Sequence, residues 1–271
     1  MKPATFRSFR PVDATVARYV DYYYLDCKPD NEVNTFDCFP HYNNTISLYA
    51  SHRMPGVGRI THDSLAPSLQ IFTPIRDSVL RVTQTGPVHR IVIVFHALGV
   101  HHFWRDLSFT GYELGYSFFS TEEMHRLFAT DDVASLTGHL DGSLRKRFVP
   151  RPVDVVTTTL SYLFDHLHDF SITRMADTLG TSRRHLHRMF KATIGVSIKQ
   201  FHQIVVLRSV IDNRLSGAVD ANFTQLAYRA NFSDQAHMIR VFRKFTQHSP
   251  RQFFERGQVL GQADTFWHLV E

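Results

Sequence analysis

The sequence predicts an α+β chain of two domains, a mainly-β barrel-like N-terminal half with trailing helices and an all-α C-terminal half. Three observations lead there. Short apolar stretches at residues 45–50, 69–73, 79–83 and 89–95 are separated by turn-rich segments at 52–58 and 84–87, the pattern of strands joined by turns. From about residue 153 onward the apolar residues recur at helical spacing instead. That helical region then repeats itself: Ser171-Ile-Thr-Arg-Met-Ala176 aligns with Asn222-Phe-Thr-Gln-Leu-Ala227 at an offset of 51, and Ser182 aligns with Ser233.

Composition bounds the rest. A chain of 271 residues accommodates two domains, and 43% hydrophobic with 20% charged residues is the make-up of a folded globular chain. The longest apolar runs, such as 91–95, fall far short of the roughly 20 residues of a membrane-spanning helix. The opening MKPATFRSFRPVD lacks the apolar centre of a signal peptide, so a cytoplasmic protein with no membrane partner is expected. Cys27 and Cys38 are the only cysteines and have no metal-ligand spacing, which reads as two reduced structural thiols.

The strand-rich half gives way to helix at Ser120-x-x-Glu123, a capping-box pattern that opens a segment with Met124, Leu127 and Phe128 on one face. A second helix is expected over 131–144, and the basic, proline-flanked stretch 145–152 reads as a linker. The expected domains are therefore 1–145, a linker 146–152, 153–258, and a C-terminal tail 259–271.

Charge is distributed unevenly over these parts. Residues 1–150 carry 15 basic and 15 acidic side chains, whereas residues 171–256 carry 14 basic and only 5 acidic. A basic module beside a neutral one implies a polyanionic partner for one half of the chain.

Each copy of the repeat decodes as a helix-turn-helix. In the first, Ile172, Met175, Ala176 and Leu179 form a buried face, Gly180 leaves the helix, and Thr181 or Ser182 caps the next. Leu186, Met189 and Phe190 face back, leaving Arg183, Arg184, His187, Arg188 and Lys191 outside. In the second, Phe223, Leu226 and Ala227 pack inward, Phe232 fills the turn and Ser233 or Asp234 caps. Val241, Phe242 and Phe245 are its inner side, with Gln235, His237, Arg240, Arg243 and Lys244 outside. A helix over 198–215 joins the copies as a rod of roughly 27 Å, near the ~34 Å between successive major-groove faces of B-DNA.

These motifs resemble the AraC/XylS family of transcription regulators over about residues 153–254. The resemblance rests on Ile172-x-x-Met-Ala-x-x-Leu-Gly-x-Ser182, on His185-Leu-x-Arg-Met-Phe-Lys-x-x-x-Gly195-x-Ser197, on Ala227-x-x-Ala-Asn-Phe-Ser-Asp-Gln-Ala-His-Met-x-Arg-Val-Phe-Arg-Lys244, and on the closing Ser249-Pro250-x-x-Phe253. Asn231, Met238 and Gln247 stand where the family has Gly, Phe and Gly. The first two suit the same space and backbone, whereas Gln247 bears on the local turn.

The resemblance implies a duplex DNA operator read by the exposed faces of the two second helices. The implied contacts are Arg183, Arg184, His187 and Arg188, then Asp234, Gln235, Ala236 and Arg240. Arg pairs bidentately with guanine and Gln with adenine, whereas Lys191, Arg243 and Lys244 sit where phosphates are met. It further implies RNA polymerase as a partner if the protein is an activator.

The N-terminal half is similar, at the level of pattern, to the cupin-like barrels that sense a small-molecule effector in this family. The relevant stretches are Phe39-Pro-His-Tyr-Asn43 leading into 45–50, and 90–95 leading into Leu98-Gly99. Tyr22, Tyr23, Tyr24, Phe39, Tyr42 and Phe72 either line an effector pocket or fill the barrel core. His41, His52, His62, His89, His96, His101 and His102 lack the His-x-His and Glu pattern of metal-binding cupins, so they read as structural and no cofactor or metal is expected.

No enzyme is expected either. There is no Gly-x-Ser-x-Gly, phosphate-cradling glycine loop or His-Glu-x-x-His, and two cysteines exclude a four-cysteine methyl-acceptor site. The leading expectation is a ligand-responsive regulator. The alternatives are a regulator whose N-terminal half only dimerises or binds a protein, and a metal-dependent cupin enzyme fused to a DNA-binding module. Residues 121–144 are expected to support a homodimer through Met124, Leu127 and Phe128, unless that stripe packs on its own barrel.

Overall fold

The computed structural model describes residues 4–104, 107, 109, 113–114, 116–152, 154–215, 235–260 and 265–270. Among the described residues, two six-stranded sheets make up the β part. The first runs β1 (Thr5–Phe9), β2 (Val20–Lys28), β9 (Val88–Phe95), β4 (Asn44–Tyr49), β7 (Leu69–Thr73) and β10 (Glu113–Leu114) in spatial order. The second runs β11 (Gly257–Leu260), β12 (Thr265–Val270), β3 (Val33–Cys38), β8 (Leu80–Thr85), β6 (Arg59–His62) and β5 (His52–Gly56).

Strand β9 shows why its sequence is an unbroken apolar run. It lies inside the first sheet between β2 and β4 and is buried on both faces. Its Val88, Val92 and Val94 join Tyr24, Tyr49 and Ile71 of the same sheet and Phe36, Ile60 and Val82 of the other, forming the inter-sheet core. Its Ile91, Ile93 and Phe95 face the opposite way, onto α1 (Thr121–Phe128) and α2 (Val133–Arg147) through Met124, Leu127, Leu136, Leu140 and Leu144. Period-two alternation thus serves two cores at once.

Helix α1 begins as the sequence predicts. The Ser120 side chain accepts from the Glu123 backbone N–H, and the Glu123 carboxylate accepts from the Ser120 N–H, both ends of a capping box. Glu123 also pairs with Arg147 at 2.7 and 2.5 Å, which ties the start of α1 to the end of α2.

The helical part comprises α3 (Val155–Asp165), α4 (Ile172–Thr178), α5 (Arg183–Ile194), α6 (Ile198–Leu215), α7 (Gln235–Thr246) and α8 (Pro250–Arg256) among the described residues. Its core is continuous with residues of the β part, namely Phe39, Ile75 and Ala97. Phe39 meets Phe253 edge-on at 4.7 Å, Gln200 donates to Asp77 at 2.5 Å, and His101 Nε2 lies 3.2 Å from the Thr193 carbonyl.

Three expectations need correction, and a fourth point had two readings. The segment 52–58, read as a turn, forms β5 and then turns at Gly58. Helix α2 runs on through Arg147, two residues into the expected linker, and Val149 donates to the His102 carbonyl at 2.8 Å, so this stretch is held against the β part. The expected tail 259–271 contributes instead to β11 and β12, whose register places His268 opposite Asp37 and Val270 opposite Thr35 of β3. Finally, Met124 and Leu127 are each 1% exposed within their own chain and Phe128 is partly buried beside them, so the α1 stripe follows the second of its two expected readings and packs on its own barrel.

Candidate nucleic-acid interface and internal cavity

The first helix-turn-helix has the local chemistry its sequence implies. Ser171 caps α4 by accepting from the Arg174 N–H, and Met175 and Ala176 are buried. Gly180 then takes φ +60°, the left-handed conformation that glycine adopts without a Cβ penalty. Ser182, one of the two expected caps, accepts from the His185 N–H and starts α5. Leu186 and Phe190 are buried and Met189 is half-buried, while Arg183, Arg184, Arg188 and Lys191 are exposed and His187 is half-exposed. The helix ends at Gly195, φ +91°.

In the second copy, α7 buries Met238, Val241, Phe242 and Phe245. Gln235, Ala236, Arg240, Arg243 and Lys244 are exposed and His237 is half-exposed. The expected inner residues Phe223, Leu226, Ala227 and Phe232, the cap Ser233 and the candidate contact Asp234 lie outside the described residues. Helix α8 closes the repeat with a second capping box, Ser249 with Gln252, and Pro250 in the first turn. The joining helix α6 spans 18 residues, as the sequence predicts, and is buried at Ile198, Phe201, Ile204, Leu207 and Ile211.

Two candidate contacts have neighbours within the protein. Arg188 Nη2 lies 3.3 Å from His185 Nδ1 on its own helix. Lys244 donates to Gln203 Oε1 of α6 at 2.7 Å and sits 4.6 Å from the Phe245 ring centroid.

Between the two sheets and α6 lies a cavity of about 140 Å³. The aromatic residues singled out in the sequence divide here. Tyr22, Tyr24 and Phe39 line the cavity, Tyr23 and Phe72 fill the core beneath α1 and α2, and Tyr42 packs against the helical part, edge-on to Phe164. The strands of the first sheet contribute Tyr22, Thr45, Ser47 and Thr73 to the lining; those of the second contribute Cys38, Met54, Ile60, Leu80 and Val82.

Arg76, Arg90 and Arg208 also line the cavity, and sequence reasoning missed all three. The signal was present for two of them: Arg90 interrupts the apolar strand β9, and Arg208 interrupts the apolar run 204–211 of α6. Arg90 is neutralised by the buried Asp26 at 2.9 Å and packed against the rings of Tyr24, Phe36 and Tyr49. Arg208 donates through Nε and Nη2 to the carbonyls of Pro40 and Phe39, at 2.9 and 3.2 Å. Arg76 donates through Nη2 to the Cys38 carbonyl at 3.0 Å. Burial, together with Arg208 and Arg76, holds the His41 imidazole well below its ordinary value, so it remains neutral.

The histidines divide: His52, His62 and His89 line one pocket with Cys27 and Asp131, whereas His101 and His102 pack elsewhere. His52 and His62 meet edge-on at 5.3 Å, His102 stacks on Tyr19, and His101 stacks on Phe109 at 4.1 Å. The donors nearest to a metal-ligand arrangement among the described residues are Cys27, His89 and Asp131, whose ligand atoms lie within 4.8 Å of one another. Cys27 and His89 are opposite one another on β2 and β9, and Asp131 already contacts His89 Nε2 at 3.1 Å. No described helix is long and apolar enough to cross a membrane.

The fold and these helices define a protein that carries a helix-turn-helix domain on a two-sheet β domain. A family described as a helix-turn-helix domain matches residues 175–256. That match takes in α5, α6, α7 and α8 and covers less than half of the chain. It is 33% identical over 93 residues to the HTH-type transcriptional activator RhaS of Escherichia coli O1:K1 / APEC, covering 34% of this chain and 33% of that one. It is 28% identical over 102 residues to an uncharacterized HTH-type transcriptional regulator of Staphylococcus aureus strain COL, covering 37% of this chain and 13% of that one. The chain thus spans only 13% to 33% of the length of these relatives. Among solved structures it is similar to ToxT from Vibrio cholerae O395, with a TM-score of 0.47 and 11% identity, covering 86% of this chain and 97% of that one. It is also similar to the DNA-binding domain of AdpA in complex with a target DNA, with a TM-score of 0.33 and 22% identity, covering 37% of this chain and 90% of that one.

Proposed function

We propose that this protein is a sequence-specific, non-enzymatic regulator of transcription that binds a duplex DNA operator through α5 and α7 and responds to a small molecule held in the β domain. The observation that carries the reading is the pair of capped or packed helices whose apolar sides are buried and whose basic sides are exposed. On α5 these are Arg183, Arg184, Arg188 and Lys191; on α7 they are Arg240, Arg243 and Lys244. Exposed arginines on a rigid helix read guanine edges, and the later basic residues meet phosphates. His187, Gln235 and Ala236 complete the described part of the interface, and Asp234 belongs to the same proposal. The domain division 1–145, 146–152 and 153–258 goes with it, amended by the continuation of α2 and by the C-terminal strands.

The cavity supports the effector reading over a β domain that only dimerises, since it is lined by converging polar and apolar side chains. A homodimer would need a surface other than the α1 stripe. RNA polymerase enters as a partner if the regulation is positive.

The test is selection of duplexes from a random-sequence library by the full-length chain, followed by affinity measurements over a range of salt. We expect an enriched motif and a log affinity falling linearly with log salt, with a slope of about −0.9 for each phosphate neutralised. No enrichment, or binding indifferent to salt, would refute the assignment.

A further inference from the structure

The cavity carries more positive charge than its own residues neutralise. Asp26 serves Arg90, but Arg76 and Arg208 have no ion pair among the described residues. Asp212 is exposed at a distance felt by Arg208 without an ion pair, and Asp21 is bound by Asn43 and by Arg10. The positive field reaches two other lining groups, for Arg76 and Arg208 both act on the Cys38 thiol and the His41 imidazole.

Two buried lining atoms also have no hydrogen-bond partner among the described residues, Arg76 Nε and Asn43 Oδ1. Buried polar atoms in folded proteins are nearly always paired, so a donor and an acceptor left open on one cavity wall mark a place built for a polar guest. Arg208 spends Nε and Nη2 on backbone carbonyls, which fixes its guanidinium and leaves Nη1 outside those bonds.

Size and lining restrict the guest further. A volume of about 140 Å³ is comparable with the ~150 Å³ apolar cavity that holds benzene, which suits a single ring rather than a long chain. The hydroxyls of Tyr22, Thr45, Ser47 and Thr73 come from the first sheet, beside its apolar Ile71 and Val94, and the second sheet adds the apolar Met54, Ile60, Leu80 and Val82. A flat ring with an apolar face and a polar substituent satisfies both walls.

We propose that the cavity binds a small single-ring organic carboxylate, its carboxyl group held by Arg76 from the β domain and Arg208 from α6. This rests on the effector reading above and names the ligand class for it. Arg208 belongs to the helix that joins the two helix-turn-helix units, so the carboxylate is gripped by the sensing and the DNA-binding parts together. Binding then has a direct route to the DNA-binding helices, through the helix that spaces them.

The experiment uses the full chain and pairs each acid with its neutral alcohol: cyclohexanecarboxylate with cyclohexylmethanol, and 4-hydroxybenzoate with 4-hydroxybenzyl alcohol. Acetate at equal ionic strength controls for general anion effects. Ligands that bind only the folded form raise the melting temperature, and titration calorimetry gives the affinity. We expect the ring acids to bind and their alcohols and acetate to have no effect. Arg76→Gln and Arg208→Gln should each weaken the acid by about 10- to 100-fold, the worth of a hydrogen bond to a charged group. Arg126→Gln, at an exposed arginine of α1, should leave binding unchanged. Arg208→Gln also removes bonds to Phe39 and Pro40 and can unfold the chain; Arg76→Gln, at a half-buried site, then decides alone.

Equal binding of acids and alcohols, or acid binding that survives Arg76→Gln, overturns the carboxylate assignment. A parallel panel of neutral sugars and organic amines separates the two readings. Binding confined to those compounds overturns the carboxylate while leaving the effector reading intact. No binding by any compound in either panel overturns both.

Discussion

Gly195 lies directly against the backbone of Phe109: a Cβ at Gly195 would stand 2.2 Å from the Phe109 carbonyl oxygen. Gly195 ends α5 with φ +91°, so the same position needs both the left-handed backbone and the missing side chain. This glycine belongs to the motif that resembles the AraC/XylS family, and it also lets the end of α5 approach the β domain. We expect Gly195→Ala to destabilise the full chain by about 2 kcal/mol or more, because a backbone oxygen has no easy way to move aside. Chemical denaturation measures the loss. A change within about 0.5 kcal/mol, the size of an ordinary surface substitution, would show that the approach is looser than described.

Gln247 occupies a left-handed position as well, with φ +64°, where the resembling family has glycine. A side chain in that region costs roughly 1–2 kcal/mol relative to glycine. Gln247→Gly is therefore expected to raise stability by up to about 1 kcal/mol after the entropy that glycine adds to the unfolded chain is deducted. The measurement is the melting temperature; a fall would mean that Gln247 makes a compensating contact.

Arg184 and Lys244 should behave differently when truncated. Arg184→Ala is expected to relax base preference at defined operator positions and to cost about 1–3 kcal/mol on the preferred sequence. Lys244 already donates to Gln203, so Lys244→Ala should weaken all sequences alike, with a salt slope reduced by at most about one unit. Binding of the two variants to a matched and a scrambled duplex separates these outcomes. The same sequence-independent loss for both would remove the distinction between base and phosphate contacts.

Acid should weaken the contact between the β and helical parts. Burial, then the Arg151 guanidinium, pushes His101 down to about 4, while its Nε2 lies 3.2 Å from the Thr193 carbonyl. The unfolded chain takes up this proton near pH 6.5 and the folded chain does not, so stability is intact above that pH. It falls as pH drops from about 6.5 towards 4, by as much as about 3 kcal/mol, and then levels for this group. His52, His102 and His202 are shifted in the same direction and add to the slope. Denaturation midpoints of the protein and of His101→Phe between pH 7 and 4 measure the share of His101; identical slopes would exclude it.

The legible parts of the fold are those fixed by local chemistry. Ser120 and Ser182 cap helices where their neighbours require it, Gly180 turns where the first unit needs a turn, and α6 has the extent its apolar spacing gives. What depends on distant partners was not legible. Strand β5 is a strand because it pairs with β6, and β12 because it pairs with β3 at the other end of the chain. Helices α5 and α7 were readable as helices with exposed basic faces. The cavity was not, because Arg76, Arg90 and Arg208 come from a loop, a strand and a helix that only the tertiary fold assembles. A stripe on α1 suited both a dimer and a core, and packing against β9 decided for the core.

The strands that follow α8 alter how the helical part is attached. Helix α8 passes straight into β11 at Gly257, and β11 leads through its pairing with β12 to β3. The helical part is consequently an insertion, anchored to the β part by α2 before it and by this hairpin after it. An inserted body held at two points can pivot about the line joining them but cannot drift away as a single-tether domain does. Cutting the backbone between α8 and β11 would turn the pivot into a free leash.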